Sequence, residues 1–156
     1  MRRTTRYVAL VVMVLGILSA VVGGGFIAMA AEKNTYIVDG LREQKVTLGL
    51  SEAQIAKGDV VDSAQEAQLA AETLSKHLES IAGGTYGDLM AASKTGRYDP
   101  TDPKDLTYSQ GLNMENTFNL VVLGFGVIQQ TMAVGGALIV IGVAIGATGL
   151  MLFRLV

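Results

Sequence analysis

His77 is the only histidine in a chain of 156 residues that contains no cysteine, so no second soft ligand exists within the chain to share a transition metal with it. A catalytic reading would make it a metal ligand or general base, with Thr73, Glu79 or a distant carboxylate as partner. The bland reading places it at the edge of an apolar helix face beside Leu74 and Leu78, satisfied by a backbone carbonyl or water, and is preferred. Asp99, Asp102 and Asp105 gather three carboxylates that could attract calcium. Their spacing does not match an EF-hand loop, two prolines restrict the turn, and helix capping by Asp102 and Asp105 accounts for them without a cation. Gly83-Gly84-Thr85-Tyr86-Gly87 shares the composition of a phosphate loop but lacks its lysine and its strand. A helix stop followed by a new N-cap explains it. No catalytic, cofactor-binding or metal residue is therefore assigned, no cofactor is expected, and the chain is not expected to be an enzyme.

The elements around these residues point to a membrane. All fourteen acidic residues lie between Glu32 and Glu115, and the same segment holds eight basic residues, leaving it near −6 while the whole chain is −2. Outside that segment the charges are Arg2, Arg3, Arg6 and Arg154, each beyond an apolar run. Tyr7 to Ala30 has no charged residue, and as a helix it would reach about 36 Å, more than the hydrocarbon layer of a bilayer. Leu120 to Phe153 is longer still, with Gln129, Gln130 and Thr131 its strongly polar interruption and Met132 to Phe153 its best spanning part. Basic flanks stay in the cytoplasm. The expected organisation is a cytoplasmic N-terminus over 1–6, a transmembrane helix over 7–30, an acidic helical extracytoplasmic domain over 31–131, a second transmembrane helix over 132–153 and a cytoplasmic C-terminus over 154–156. A cleaved signal peptide is the rival for the N-terminus, since Ala28-Met29-Ala30 has the form of a cleavage site. The apolar run exceeds the usual signal core, so a retained anchor is preferred.

Neither span carries an Asp, Glu, Lys, Arg or His, the groups on which proton relays and ion-coupled transport depend. What the spans do carry is glycine. Gly16, Ala20 and Gly24 recur at four-residue spacing in the first, and Gly142 and Gly146 in the second, extended by Gly135, Gly136 and Gly149. Small residues four apart share a helix face and let another backbone approach, which predicts tight contacts between the two spans or with other chains. If Arg6 and Arg154 mark one inner boundary, Gln129 to Thr131 fall level with Ala30 to Lys33 at the outer one. Above it, Phe118, Val121, Val122, Phe125 and Ile128 continue an apolar stripe, and Tyr36, Ile37, Val38 and Leu41 extend the first helix. These extensions are expected to pack on each other or on a neighbour.

Between the long helices, Val46 to Leu50 reads as extended or irregular. Ser51 with Gln54 and Ser63 with Glu66 read as capping boxes that open helices, Thr85 with Asp88 starts another short helix, and Gly58, Gly83-Gly84 and Gly96 close the three. Ala67, Ala70, Leu74, Leu78 and Ile81 form the buried face of the middle helix, and Glu72 and Lys76 are spaced for a solvent-side pair. The short helix opened at Thr85 runs to about Lys94. Asp102 as cap and Pro103 at the first helical position start the last helix, with a kink expected near Gly111.

Lys76 to Leu89, with Leu41 to Thr47 upstream and the glycine-rich second span, resembles a group of small two-span bacterial membrane proteins best known from actinobacteria, over roughly residues 36–150. The resemblance implies a bacterial inner-membrane location and a two-span helical architecture. Some of that group carry an aromatic-ring-opening dioxygenase label, but the metal ligands of such an enzyme have no counterpart here, and no functional residue carries over.

The fold class expected is thus an all-α integral membrane protein, a two-transmembrane helical hairpin with a small helical extracytoplasmic domain. The function expected is that of a non-catalytic accessory or structural subunit of a membrane protein complex. Its partners would be other integral membrane proteins, or copies of itself in the alternative of a homo-oligomeric scaffold or pore, and the lipid bilayer. Nucleic acid is excluded by the acidic surface, and no small-molecule substrate is evident.

Overall fold

The computed structural model describes residues 2–93 and 96–155, all of whose regular elements are helices: α1 (Arg2–Gln44), α2 (Glu52–Ala56), α3 (Ala64–Ala82), α4 (Tyr86–Ala92) and α5 (Pro103–Arg154). At 43 and 52 residues, α1 and α5 are roughly 65 and 78 Å long. Both are long and apolar enough to cross a membrane. The contacts divide the chain into two compact units, one made of the chain up to Thr35 and from Val127 onward, the other of Tyr36–Gly126.

The first unit is an antiparallel pair of helices. Seven residues separate Gly16 from Gly23 on α1, and their opposite numbers, Gly142 and Gly146 against Gly16 and Gly135 and Ile139 against Gly23, are also seven apart. Carrying this pairing ten residues inward brings Arg6 level with Arg154, the alignment expected from the charges.

In the second unit, Lys45 takes a left-handed conformation (φ 49°) and ends α1. Arg42 just before it forms an ion pair with Asp62 at 2.8 Å, and the Val61 amide donates to the Val46 carbonyl at 2.8 Å, so the chain entering α3 is tied to the end of α1. The segment expected to be extended or irregular forms a turn that holds no strand. Gly49 adopts φ 83° against the backbone of Leu69 and Ala70, where a Cβ would come within 3.1 Å, so a side chain there would be strained in conformation and tightly placed.

The capping signals are met with two adjustments. Ser51 with Gln54 and Thr85 with Asp88 form complete boxes. At α3, Ser63 accepts from the Glu66 amide, but the Glu66 carboxylate reaches back to the amide of Asp62 rather than of Ser63. Asp102 caps α5 by accepting from the Lys104 amide. Asp105 does not share that duty: it is buried and accepts at 2.9 Å from the amide of Asp99, closing the turn that precedes the helix. Gly83 stops α3 in the left-handed region, and its last carbonyl, that of Ala82, accepts from the Lys104 ammonium. The end expected for α4 at Lys94 lies outside the described residues.

The core of this unit is α3 laid against α5. Ala67, Ala70, Ala71, Leu74, Leu78 and Ala82 face inward with Val61, Leu89, Tyr108 and Phe118. Ile81, expected on the buried face, is only half-buried, and Ala82 takes its place. The small residue is the one that fits where α3 runs into its stop. α5 is helical without interruption through Gly111, whose missing side chain makes room for Leu78.

Candidate functional site

Small side chains decide how α1 and α5 meet in the first unit. A Cβ built on Gly16 would lie 2.5 Å from the Gly146 nitrogen, one on Gly23 2.5 Å from the Gly135 oxygen, and one on Gly142 2.5 Å from the Gly16 oxygen. At such separations any side chain would force the backbones apart. Reading along α1, the residues turned inward are Ala9, Gly16, Gly23 and Ala30, with Met13, Ala20 and Ile27 half-buried between them. On α5 they are Ile128, Gly135, Gly142 and Gly149, with Ile139 and Gly146 between. Steps of three and four alternate, giving a 3.5-residue period.

That period corrects one residue of the expected stripe. Steps of four drift around a helix by about 40° each, so Gly24 is turned well away from Gly16, whereas steps of seven return to within about 20°. Accordingly Gly23 is buried and Gly24 has nothing within 4 Å of its Cβ position. Ala20, Gly135 and Gly142 lie at the contact as expected. Gly146 takes part through its backbone alone, passing under Gly16 while its own Cβ direction is open. Gly149, against Ala9 and Met13, extends the stripe.

The sequence reading missed Ser19. Its hydroxyl donates to the Leu138 carbonyl at 3.0 Å, a hydrogen bond from one helix to the other and a form of adhesion that apolar surroundings favour. A serine one residue before Ala20, within the uncharged run from Tyr7 to Ala30, was the signal available. The hydroxyls of Thr131 and Thr148 donate within their own helix, to the Val127 and Ala144 carbonyls. Gln129 and Gln130 are exposed.

Bulky apolar residues face the other way. Tyr7, Val11, Ile17 and Val21 on α1, and Val140, Val143 and Met151 on α5, are each more than half exposed. Unlike a soluble protein, where large aliphatics are the first to be buried, this pair buries glycine and alanine and shows its valines and leucines outward.

The helix extensions in the second unit divide similarly. Leu41, Phe118 and Phe125 are buried, Val121 and Val122 lie half-buried against the α3 core, and Val38 is half-buried. The Ile37 side chain fills the space above Gly124. Tyr36 is 78% exposed.

No protein-family model, curated protein or solved structure matches the chain.

The titratable candidates fall into ordinary structural roles. His77 is exposed on α3. Glu72 pairs with Gln68 at 3.0 Å rather than with Lys76. Hydrogen bonds from the Thr85 hydroxyl and amide hold the Asp88 carboxyl below its usual range, and Thr101 does the same for Asp99. Burial pushes the Tyr108 phenol up, helped by Glu115 and Glu79, and its ring lies 5.8 Å from that of Tyr86. Among the described residues no three of His, Cys, Asp and Glu are grouped to hold a metal ion.

Proposed function

We propose that this chain is an integral membrane hairpin that serves as a non-catalytic accessory or structural subunit, binding other membrane proteins through its outward helix faces and through the apolar extensions beyond the spans. One observation carries the reading: in the first unit Gly16, Gly23, Gly135, Gly142 and Gly149 line the contact between α1 and α5, and the large aliphatic side chains are turned outward. In water such a surface would aggregate; in lipid it is the ordinary exterior of a span, and association there depends on packing and hydrogen bonds rather than on hydrophobicity. Both arginine ends lie in the cytoplasm, residues 31–131 lie mostly outside, and the membrane is the cell membrane.

Self-assembly is the alternative, favoured by Gly24, Gly126 and Gly136, which have nothing within 4 Å and so leave room for a helix of another copy. Purification in mild detergent separates the readings. Several polypeptides in one particle support a subunit, one polypeptide in multiple copies supports self-assembly, and a lone monomer sinks both. Topology is tested with Ser80→Cys, which in this cysteine-free chain reacts with an impermeant maleimide from outside the intact cell; reaction from the cytosol alone would refute the orientation.

A further inference from the structure

Within the second unit, the last turns of α1 and the middle of α5 enclose an open groove of about 490 Å³, with Ile37, Gly40, Leu41 and Val121 in its floor. Exposed Tyr36 stands at one end, and Asp39 and Glu43 form its rim. The two carboxylates are one helical turn apart on the same face, an arrangement in which like charges repel. Among the described residues neither meets a lysine or arginine within ion-pair distance. An apolar floor beside two uncompensated carboxylates is complementary to a helix with apolar residues on one side and lysine or arginine at its edge.

We propose that this groove docks a basic amphipathic helical segment of a partner protein, apolar side chains entering over Gly40 and cations meeting Asp39 and Glu43. The proposal rests on the membrane-hairpin reading and adds to it the chemistry of the partner. A second copy is a poorer match to this face: its own cations at that height, Arg42 and Lys45, lie on the same helix as the carboxylates, and Arg42 is already paired with Asp62. Two copies in one bilayer related by a two-fold axis along the membrane normal meet at equal heights, so Asp39 and Glu43 would confront Asp39 and Glu43. The stretch of α5 beside the groove, residues 116–124, supplies no cation either.

The test uses the full chain in lipid nanodiscs and two fluorescent 14-residue helical peptides, one of leucine and lysine, the other with glutamate replacing each lysine, read by anisotropy. The lysine peptide binds and the glutamate peptide does not. Combined Asp39→Asn and Glu43→Gln weaken binding about fivefold, as expected for two exposed ion pairs, whereas Glu72→Gln with Glu79→Gln, remote acidic residues of the same unit, leave it unchanged. Gly40→Phe, at a position open to substitution, fills the groove and abolishes binding. No binding, equal binding of both peptides, equal loss from the remote pair, or insensitivity to Gly40→Phe each overturns the proposal. These outcomes leave the subunit reading standing if a partner still co-purifies, and a lone monomer refutes that reading whatever the peptides do.

Discussion

The Gly146 amide nitrogen occupies the place where a Gly16 side chain would begin, 2.5 Å from its Cβ position. Contact of backbone on backbone across the pair means that the separation of the two helices is set by the absence of atoms. Gly16→Val should therefore open the pair and cost at least the roughly 1–3 kcal/mol of an overpacked core. Gly24→Val, on the same helix and at the spacing of the simpler small-residue pattern, should be nearly silent. Melting temperatures of the two variants in one detergent check this, and equal losses would contradict the 3.5-residue register.

Leu78 fills the notch left by Gly111, and it is 2% exposed. Leu78→Ala should cost about 2–5 kcal/mol, the range for emptying a well-packed leucine site. His77→Gln, one residue away on the solvent side, should change stability by less than about 0.5 kcal/mol and leave the metal content of the purified protein unaltered. A loss of bound metal or of a cellular phenotype in that variant would reopen the catalytic reading.

Asp105 is the one buried charged residue among those described, and its carboxylate accepts the Asp99 amide. Asp105→Ala strands that donor and should cost about 1–3 kcal/mol, while Asp105→Asn retains an acceptor and should cost less. Hydrogen exchange at the Asp99 amide gives a local check: fast in the alanine variant, slow in the native chain.

Acid should loosen the turns at Thr85 and Asp99 before it affects the spans. Asp88 and Asp99 both have carboxyls held below the ordinary 3.8 by threonine hydroxyls and amides. A group whose folded value is depressed stabilises the fold fully above its unfolded value and loses that contribution as pH falls through the folded one. The effect is therefore absent at pH 5 and develops as pH drops below about 3.8. Thr85→Val, which removes the larger of the two contacts to Asp88, should flatten the acid response of α4 in circular dichroism or amide exchange.

Much of the second unit could be read locally because its signals are local. Ser51 with Gln54, Thr85 with Asp88, Pro103 after Asp102 and the glycine stop at Gly83 act within one helical turn, and each has its expected element. The arginine alignment also agreed with the observed pairing in the first unit, since two apolar runs ending in charge leave little freedom of register. The misread residues are ones with a competing partner close by in the chain. Glu66 turned to Asp62, Asp105 to Asp99 and Glu72 to Gln68, alternatives four to six residues away that spacing alone does not rank.

From sequence alone came an all-helical chain, two apolar stretches long enough to cross a bilayer, an acidic segment between them and no constellation suited to catalysis, because composition and capping depend only on residue type and short spacing. Which glycines touch was a tertiary decision. Gly16, Ala20 and Gly24 are equivalent on paper, and only the opposing helix, which must stay in contact over about six turns, selects the 3.5-residue period that buries Gly23 and turns Gly24 outward. The same holds for the groove at Gly40, since an apolar floor with two uncompensated carboxylates exists only once α1 and α5 are laid side by side in the second unit.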